Sequence, residues 1–134
     1  MSLVKRISLP KISDPRGNLT FIEGQRHIPF EIRRVYYLYD VPAESERGGH
    51  AHRNLTQLLI AVSGSFDVLL DDGKSRETVT LNKPYEGLLI DCFVWREMKN
   101  FSSGSVCMVL ASRVYEADDY IRDYQDFMRT VRKE

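Results

Sequence analysis

The chain has 134 residues, and nineteen basic side chains balance nineteen acidic ones. That length builds one substantial core, and 43% hydrophobic with 28% charged residues is the balance of an ordinary globular domain. Zero formal net charge argues against a nucleic-acid partner, which rewards a basic excess, and no apolar run is long enough to cross a bilayer as a helix.

The opening stretch, "MSLVKRISLPKISD", lacks the long apolar segment of a secretion signal, so the cytoplasm is the expected compartment. From there, short runs rich in β-branched and aromatic residues follow one another: "LTFIE" at 19–23, "VYYLYD" at 35–40, "LTQLLIAV" at 55–62, "SFDVLLD" at 65–71, "ETVTL" at 77–81, "GLLIDC" at 87–92 and "VCMVLAS" at 106–112. Turn signals ("DPRGN", "SGS", "DDGKS", "NKP", "SSGS") separate them, the pattern of a β-sandwich or barrel. "VLLDDGKSRETVTL" predicts a hairpin turning at Asp72-Gly73. Cys92 and Cys107 sit inside apolar runs and read as buried reduced thiols rather than a disulfide. No repeat or linker divides residues 1–134, so one domain is expected.

The tail changes period. In "DDYIRDYQDFMRTVRK", Ile121, Tyr124, Phe127, Met128 and Val131 recur at three- and four-residue spacing. Asp118 and Asp119 offer a cap and a negative first turn, and Arg129, Arg132 and Lys133 suit the negative end of the dipole. The spacing predicts one amphipathic helix over about 118–132, packed on the outside of an otherwise all-β domain.

Chemistry concentrates in "RGGHAHRNLTQ", where His50 and His52 sit two apart after a glycine pair. On a strand that spacing points both rings to one side. A tight metal site there needs further ligands. Gln57, a weak amide donor, stands where a carboxylate is wanted, no histidine follows His52, and the third, His27, lies upstream. Metal and other cofactors are therefore not expected. Two neutral imidazoles suit acid/base work instead, because they exchange protons near neutrality. Surface placement at a strand end is the plain alternative. Gly48-Gly49, which permits a close approach to the backbone, and the neighbouring tyrosines and arginines weigh against it.

"RVYYLYDVP", "RGGHAHRNLTQLLIAVSGS", "VWREM" and "VLAS…Y…DYIRDYQDF" occur in one order. Together they resemble the nucleotide-sugar 3,4-ketoisomerases that act on dTDP-4-keto-6-deoxyglucose. The resemblance runs from "RGNLTFIEG" to the C-terminal helix. It implies a cupin-type jelly-roll barrel, a homodimer with strand exchange, and metal-free conversion of a 4-keto to a 3-keto sugar. The 3-keto sugar would go on to a 3-amino-3,6-dideoxyhexose of a surface glycan. The expected partner is thus a dTDP-linked keto sugar, with neither nucleic acid nor membrane.

The resemblance assigns His50 as leading carbon base and His52 as its partner. Tyr37 is either a donor to a sugar oxygen or a barrel-lining aromatic, and Arg47 either orients a histidine or tyrosine or lies on the surface. Arginine forks suit a diphosphate, which makes Arg16, Arg33, Arg34, Arg53 and Arg96 candidates. Alternation sends Arg33 and Arg34 to opposite faces, so one of the two meets the ligand. Trp95 walls the sugar pocket or fills core, with core favoured, and Gln57 points inward to substrate or protein neighbours. Two other classes stay open: a C3/C5 sugar-nucleotide epimerase on the same fold, and a non-catalytic nucleotide-sugar-binding module.

Overall fold

A computed structural model describes residues 3–132. Twelve strands follow in chain order: β1 (Lys5–Ser8), β2 (Lys11–Asp14), β3 (Gly17–Thr20), β4 (Arg34–Leu38), β5 (Arg47–His52), β6 (Gln57–Ser63), β7 (Phe66–Asp71), β8 (Arg76–Leu81), β9 (Glu86–Ile90), β10 (Trp95–Lys99), β11 (Val106–Ala111) and β12 (Tyr120–Ile121). A short 3-10 helix (Ala117–Asp119) precedes β12, and one α-helix, α1 (Tyr124–Arg132), closes the described chain. One five-stranded sheet has the order β1-β9-β6-β11-β4, a second β12-β5-β10-β7-β8, and β2 pairs with β3 as a separate hairpin. Every strand pairing is antiparallel. The two large sheets face each other as a jelly roll without closing into a continuous barrel.

Local chemistry explains the hairpins. Between β7 and β8, Asp71 Oδ1 accepts the Gly73 N–H at 2.7 Å, and Asp72 Oδ1 accepts those of Lys74 and Ser75 at 2.8 and 2.9 Å. Gly73 takes φ +93°, which an L side chain resists. The predicted turn at Asp72-Gly73 is therefore present, with Asp71 opposite Arg76.

Hydrophobic side chains pack in three places. Between the sheets lie Leu59, Ala61, Phe66, Val68, Leu70, Val79, Leu81, Leu88, Ile90, Phe101 and Val109. On the outer side of the first sheet, Leu9, Ile28 and Phe30 cover Leu58, Ile60, Leu89 and Leu110. Strand β6 is thus buried on both faces, which is why it reads as an unbroken apolar run rather than an alternation. Outside the second sheet, Phe127, Tyr124, Met128 and Val131 of α1 pack on Ala51, Trp95 and Ile121.

The helix starts later than its spacing predicts. Tyr120 and Ile121 pair with His52 and Ala51 as an edge strand, so the segment from 118 belongs to a 3-10 turn and β12. Asp123, rather than Asp118 or Asp119, caps α1: its Oδ2 accepts the Asp126 N–H at 3.1 Å and its carbonyl that of Phe127 at 3.0 Å. Asp119 is drawn away by partners on β5 and the following loop. Arg129 and Arg132 occupy the last turn, and Lys133 lies outside the described residues. Cys107 is buried, Cys92 half-buried, and both are free thiols.

Candidate active site

The bulge in β5 organises the site. Arg96 pairs with His50, yet Met98 pairs with Arg47, so two residues of β5, Gly48 and Gly49, oppose one of β10. Strict alternation would turn Arg47 away from His50; the extra residue brings it to the same face. Gly48 carries this with φ +77°, and a Cβ there would lie 2.9 Å from the Met98 methyl. The glycine pair in the sequence was the readable signal for this bend.

His50 lines a cavity of about 360 Å³ together with Arg34, Tyr36, Leu38, Arg47, Met98, Tyr120 and Arg122. Behind it, His52 is fully buried. The two imidazoles meet through their Nε2 atoms at 3.1 Å, with ring planes at 89°. The Nδ1 of His52 lies 2.7 Å from Oδ2 of Asp119, itself buried. The other carboxylate oxygen, Oδ1, accepts the Asn54 N–H at 2.6 Å, and the Asp119 carbonyl accepts that of Arg53 at 2.9 Å. Tyr120 lies against both imidazoles, with centroids 5.1 Å from His50 and 4.4 Å from His52.

Arginines surround this core. Arg96 is 1% exposed; it donates to Gln57 Oε1 at 2.6 Å and, through Nε and Nη2, to the Val94 carbonyl at 3.3 and 2.9 Å. Gln57 in turn donates to the Tyr36 hydroxyl at 3.1 Å. Arg34 lies over the rings of Tyr36 and Tyr115 and donates to the Tyr120 hydroxyl at 3.2 Å, while its buried Nε has no hydrogen-bond partner. Arg122 stacks on Tyr120 at 4.1 Å. A cavity lined by Arg34, Arg47 and Arg122, with Arg96 nearby, is built for an anion.

The same surroundings keep both imidazoles neutral. Burial, and then the Arg96 charge, lower His50 from 6.5 to about 2. Burial and Arg96 also lower His52, but the hydrogen bond and charge of Asp119 oppose them and leave it at about 4. Burial pushes Arg96 down to about 10 and raises the Tyr36 phenol. Among the described residues, no cluster of three His, Cys, Asp or Glu is placed to hold a metal ion.

The sequence-derived candidates divide. His50, His52 and Arg47 come together at the cavity, with Gln57 and Arg96 as its buried support. Arg34, not Arg33, lines the cavity; Arg33 points outward and pairs with Glu31 at 3.1 Å. Tyr37 is 60% exposed on the opposite face of β4 and stacks on Tyr39, so within this chain Tyr36 holds the inward position. Trp95 faces α1, its Nε1 donating to Glu97 at 2.8 Å. Arg16 sits on the β2–β3 hairpin, exposed and paired with Asp14 at 2.7 Å, and Arg53 is exposed with no cavity contact. Sequence reasoning missed Tyr120, Arg122 and Asp119, which the helical reading of the tail had absorbed. Their signal in the sequence was "DYIRDYQDF", one of the motifs that carry the family resemblance.

Two facing sheets and a histidine-bearing cavity define the class: a cupin-type jelly-roll enzyme. The FdtA family model, described as "WxcM-like, C-terminal", matches residues 2–132, and the chain belongs to that family. It is 47% identical over 129 residues, 96% of this chain and 93% of the other, to a TDP-4-oxo-6-deoxy-alpha-D-glucose-3,4-oxoisomerase of Aneurinibacillus thermoaerophilus. A histidine-to-asparagine variant of the 3,4-ketoisomerase QdtA from Thermoanaerobacterium thermosaccharolyticum, in complex with TDP-4-keto-6-deoxyglucose, superposes with a TM-score of 0.96 at 41% identity, covering 99% of this chain and 96% of that one. A dTDP-4-dehydrorhamnose 3,5-epimerase from Bacillus anthracis shares the fold alone, at TM-score 0.76 and 16% identity over 87% of this chain and 76% of the other.

Proposed function

We propose that this chain is a dTDP-sugar 3,4-ketoisomerase that converts dTDP-4-keto-6-deoxyglucose to the 3-keto sugar, without a metal, as a cytoplasmic homodimer in deoxy- and amino-sugar biosynthesis. The observation that carries it is the 3.1 Å approach of His50 and His52 beside a cavity lined by three arginines, in a chain 47% identical to a named oxoisomerase.

The chemistry follows from the substrate class. The C4 carbonyl acidifies the C3 hydrogen. His50, the imidazole at the cavity, takes that proton, and the electron pair spreads over C3, C4 and the carbonyl oxygen as an enediolate. Reprotonation at C4 and movement of one proton from O3 to O4 complete the isomerisation. Arg34, Arg47 and Arg122 supply charge for the diphosphate and the enediolate. The Tyr120 hydroxyl, which accepts from Arg34, keeps its own proton free for a sugar oxygen, the role the sequence suggested for Tyr37. Two free thiols suit a reducing compartment. The exposed Val35 and Tyr37 on edge strand β4, with Tyr39 just beyond it, offer an apolar face for a second copy.

The test is turnover in deuterium oxide. Incorporation at C3 or C4 with a 3-keto product is the expected result; label at C5 would favour the epimerase, and tight binding without exchange a binding module. Sedimentation is expected to give twice the 15.6 kDa chain mass; a monomer would remove the dimer.

A further inference from the structure

Asp119 contacts neither the cavity nor, on this geometry, a substrate; it bonds the back of His52. Its carboxylate is pinned. Oδ1 already accepts the Asn54 N–H at 2.6 Å, and the carbonyl of the same residue accepts the Arg53 N–H at 2.9 Å. A carboxylate accepts hydrogen bonds and donates none, so the Nδ1 of His52 must carry a proton. A neutral His52 protonated on Nδ1 has a bare Nε2. The only ring atom of His50 facing it is Nε2, at 3.1 Å, so that atom carries the proton of His50. The remaining nitrogen of His50, Nδ1, is then bare, and no described residue bonds it.

We infer that Asp119 is a positioning residue which, acting through His52, selects Nδ1 of His50 as the basic atom and lets the pair share the proton that His50 takes. This rests on the ketoisomerase reading above and deepens it. When the C3–H bond breaks, its proton goes to Nδ1 of His50 and its electron pair to the enediolate. The proton on Nε2 of His50 passes to Nε2 of His52, which becomes an imidazolium held against the Asp119 carboxylate. His50 is left neutral, protonated on Nδ1. The return path runs in reverse: His52 gives its proton back to Nε2, and Nδ1 of His50 protonates C4. Positive charge is therefore formed on the ring that has a carboxylate beside it; Arg34 and Arg96 bear on both rings, and Asp119 offsets them only at His52. Of the two rings, His52 is the one whose charged form burial penalises with a carboxylate in compensation.

Asp119→Asn tests this because the Asn54 N–H fixes which end of the amide can face which way. The amide oxygen stays on Asn54, and its NH₂ donates to Nδ1 of His52. His52 then carries its proton on Nε2 and donates it to His50, whose proton moves to Nδ1, and the base is lost. A triad whose orienting aspartate becomes asparagine loses about 10⁴-fold in kcat through the same tautomer error. The expected result here is a kcat loss of about a thousandfold or more with KM within about threefold. Nitrogen-15 NMR of histidine-labelled protein reads the tautomers without substrate: Nε2–H on His50 and Nδ1–H on His52 in the natural chain, and the reverse in D119N. The opposite tautomers in the natural protein, or a D119N variant that turns over within about tenfold of it, would overturn the proposal. The NMR arm judges it even if D119N fails to fold. Because it needs no turnover, it also separates failure of the relay from failure of the ketoisomerase reading.

Discussion

The space between the two sheets is filled in two ways. Toward β7, β8 and β9 it holds hydrocarbon: Phe66, Leu70, Val79, Leu81 and Leu88, with Phe66 stacked on Phe101 at 5.2 Å. Toward β4, β5 and β12 it holds Tyr36, His50, His52, Gln57, Arg96, Asp119 and Tyr120, nearly all joined by hydrogen bonds. The hydrocarbon side needs volume and the right face of the strand, and its contacts carry no direction. The polar side needs each donor matched to an acceptor, because an unmatched buried group costs more than a matched one gains. One region accordingly tolerates rearrangement, and the other holds its atoms in fixed places.

Three substitutions or conditions would break or sharpen that contrast. Of the two substitutions, the larger stability effect is expected on the hydrocarbon side. Phe66→Ala empties a position that is 1% exposed and should cost about 3–5 kcal/mol of unfolding free energy in a denaturant titration. Turnover per folded molecule should stay unchanged; a large fall in kcat would mean that the two regions are coupled. Gln57→Leu keeps volume but strips the Arg96 guanidinium of its 2.6 Å acceptor. The expected loss is about 1–3 kcal/mol, and a neutral outcome would place Gln57 with the forgiving residues. The third test is pH. In the unfolded chain the imidazoles gain protons near 6.5, whereas in the folded chain His52 waits until about 4 and His50 until about 2. Folded-state values below the unfolded one mean that this contribution is fully present above pH 6.5 and declines as pH falls from 6.5, to about 4 for His52 and to about 2 for His50. The denaturant midpoint should drop across that window in the natural chain and drop less in His52→Gln.

The same contrast explains what could be read beforehand. The runs containing Leu58 to Ala61, Phe66 to Leu70 and Val106 to Ala111 appear as strands at the expected places, because apolar alternation and turn residues are local signals. "LTFIE" gave only its first two residues to β3, since Ile22 leaves the hairpin to pack against the outer face of the first sheet. At the site, the spacing of His50 and His52 put both rings on one side and the family resemblance gave them their roles, while Arg47 stayed open between orienting a neighbour and lying on the surface. The arginine on the inward face of β4 depended on register: one position separates Arg34 from Arg33, and Tyr36 from Tyr37. Asp119 was hidden for a different reason. It lies 67 residues from His52, and nothing local distinguishes it from the helix-capping aspartate it resembles.

That separation has a consequence for how the molecule comes into being. Both large sheets can assemble as soon as β11 joins them, apart from the two-residue edge strand β12. At that moment His52 faces a gap where its carboxylate belongs, with Tyr120 and Arg122 still to come. The outline of the two sheets thus needs little beyond β11, whereas the site needs β12 and the turn before it.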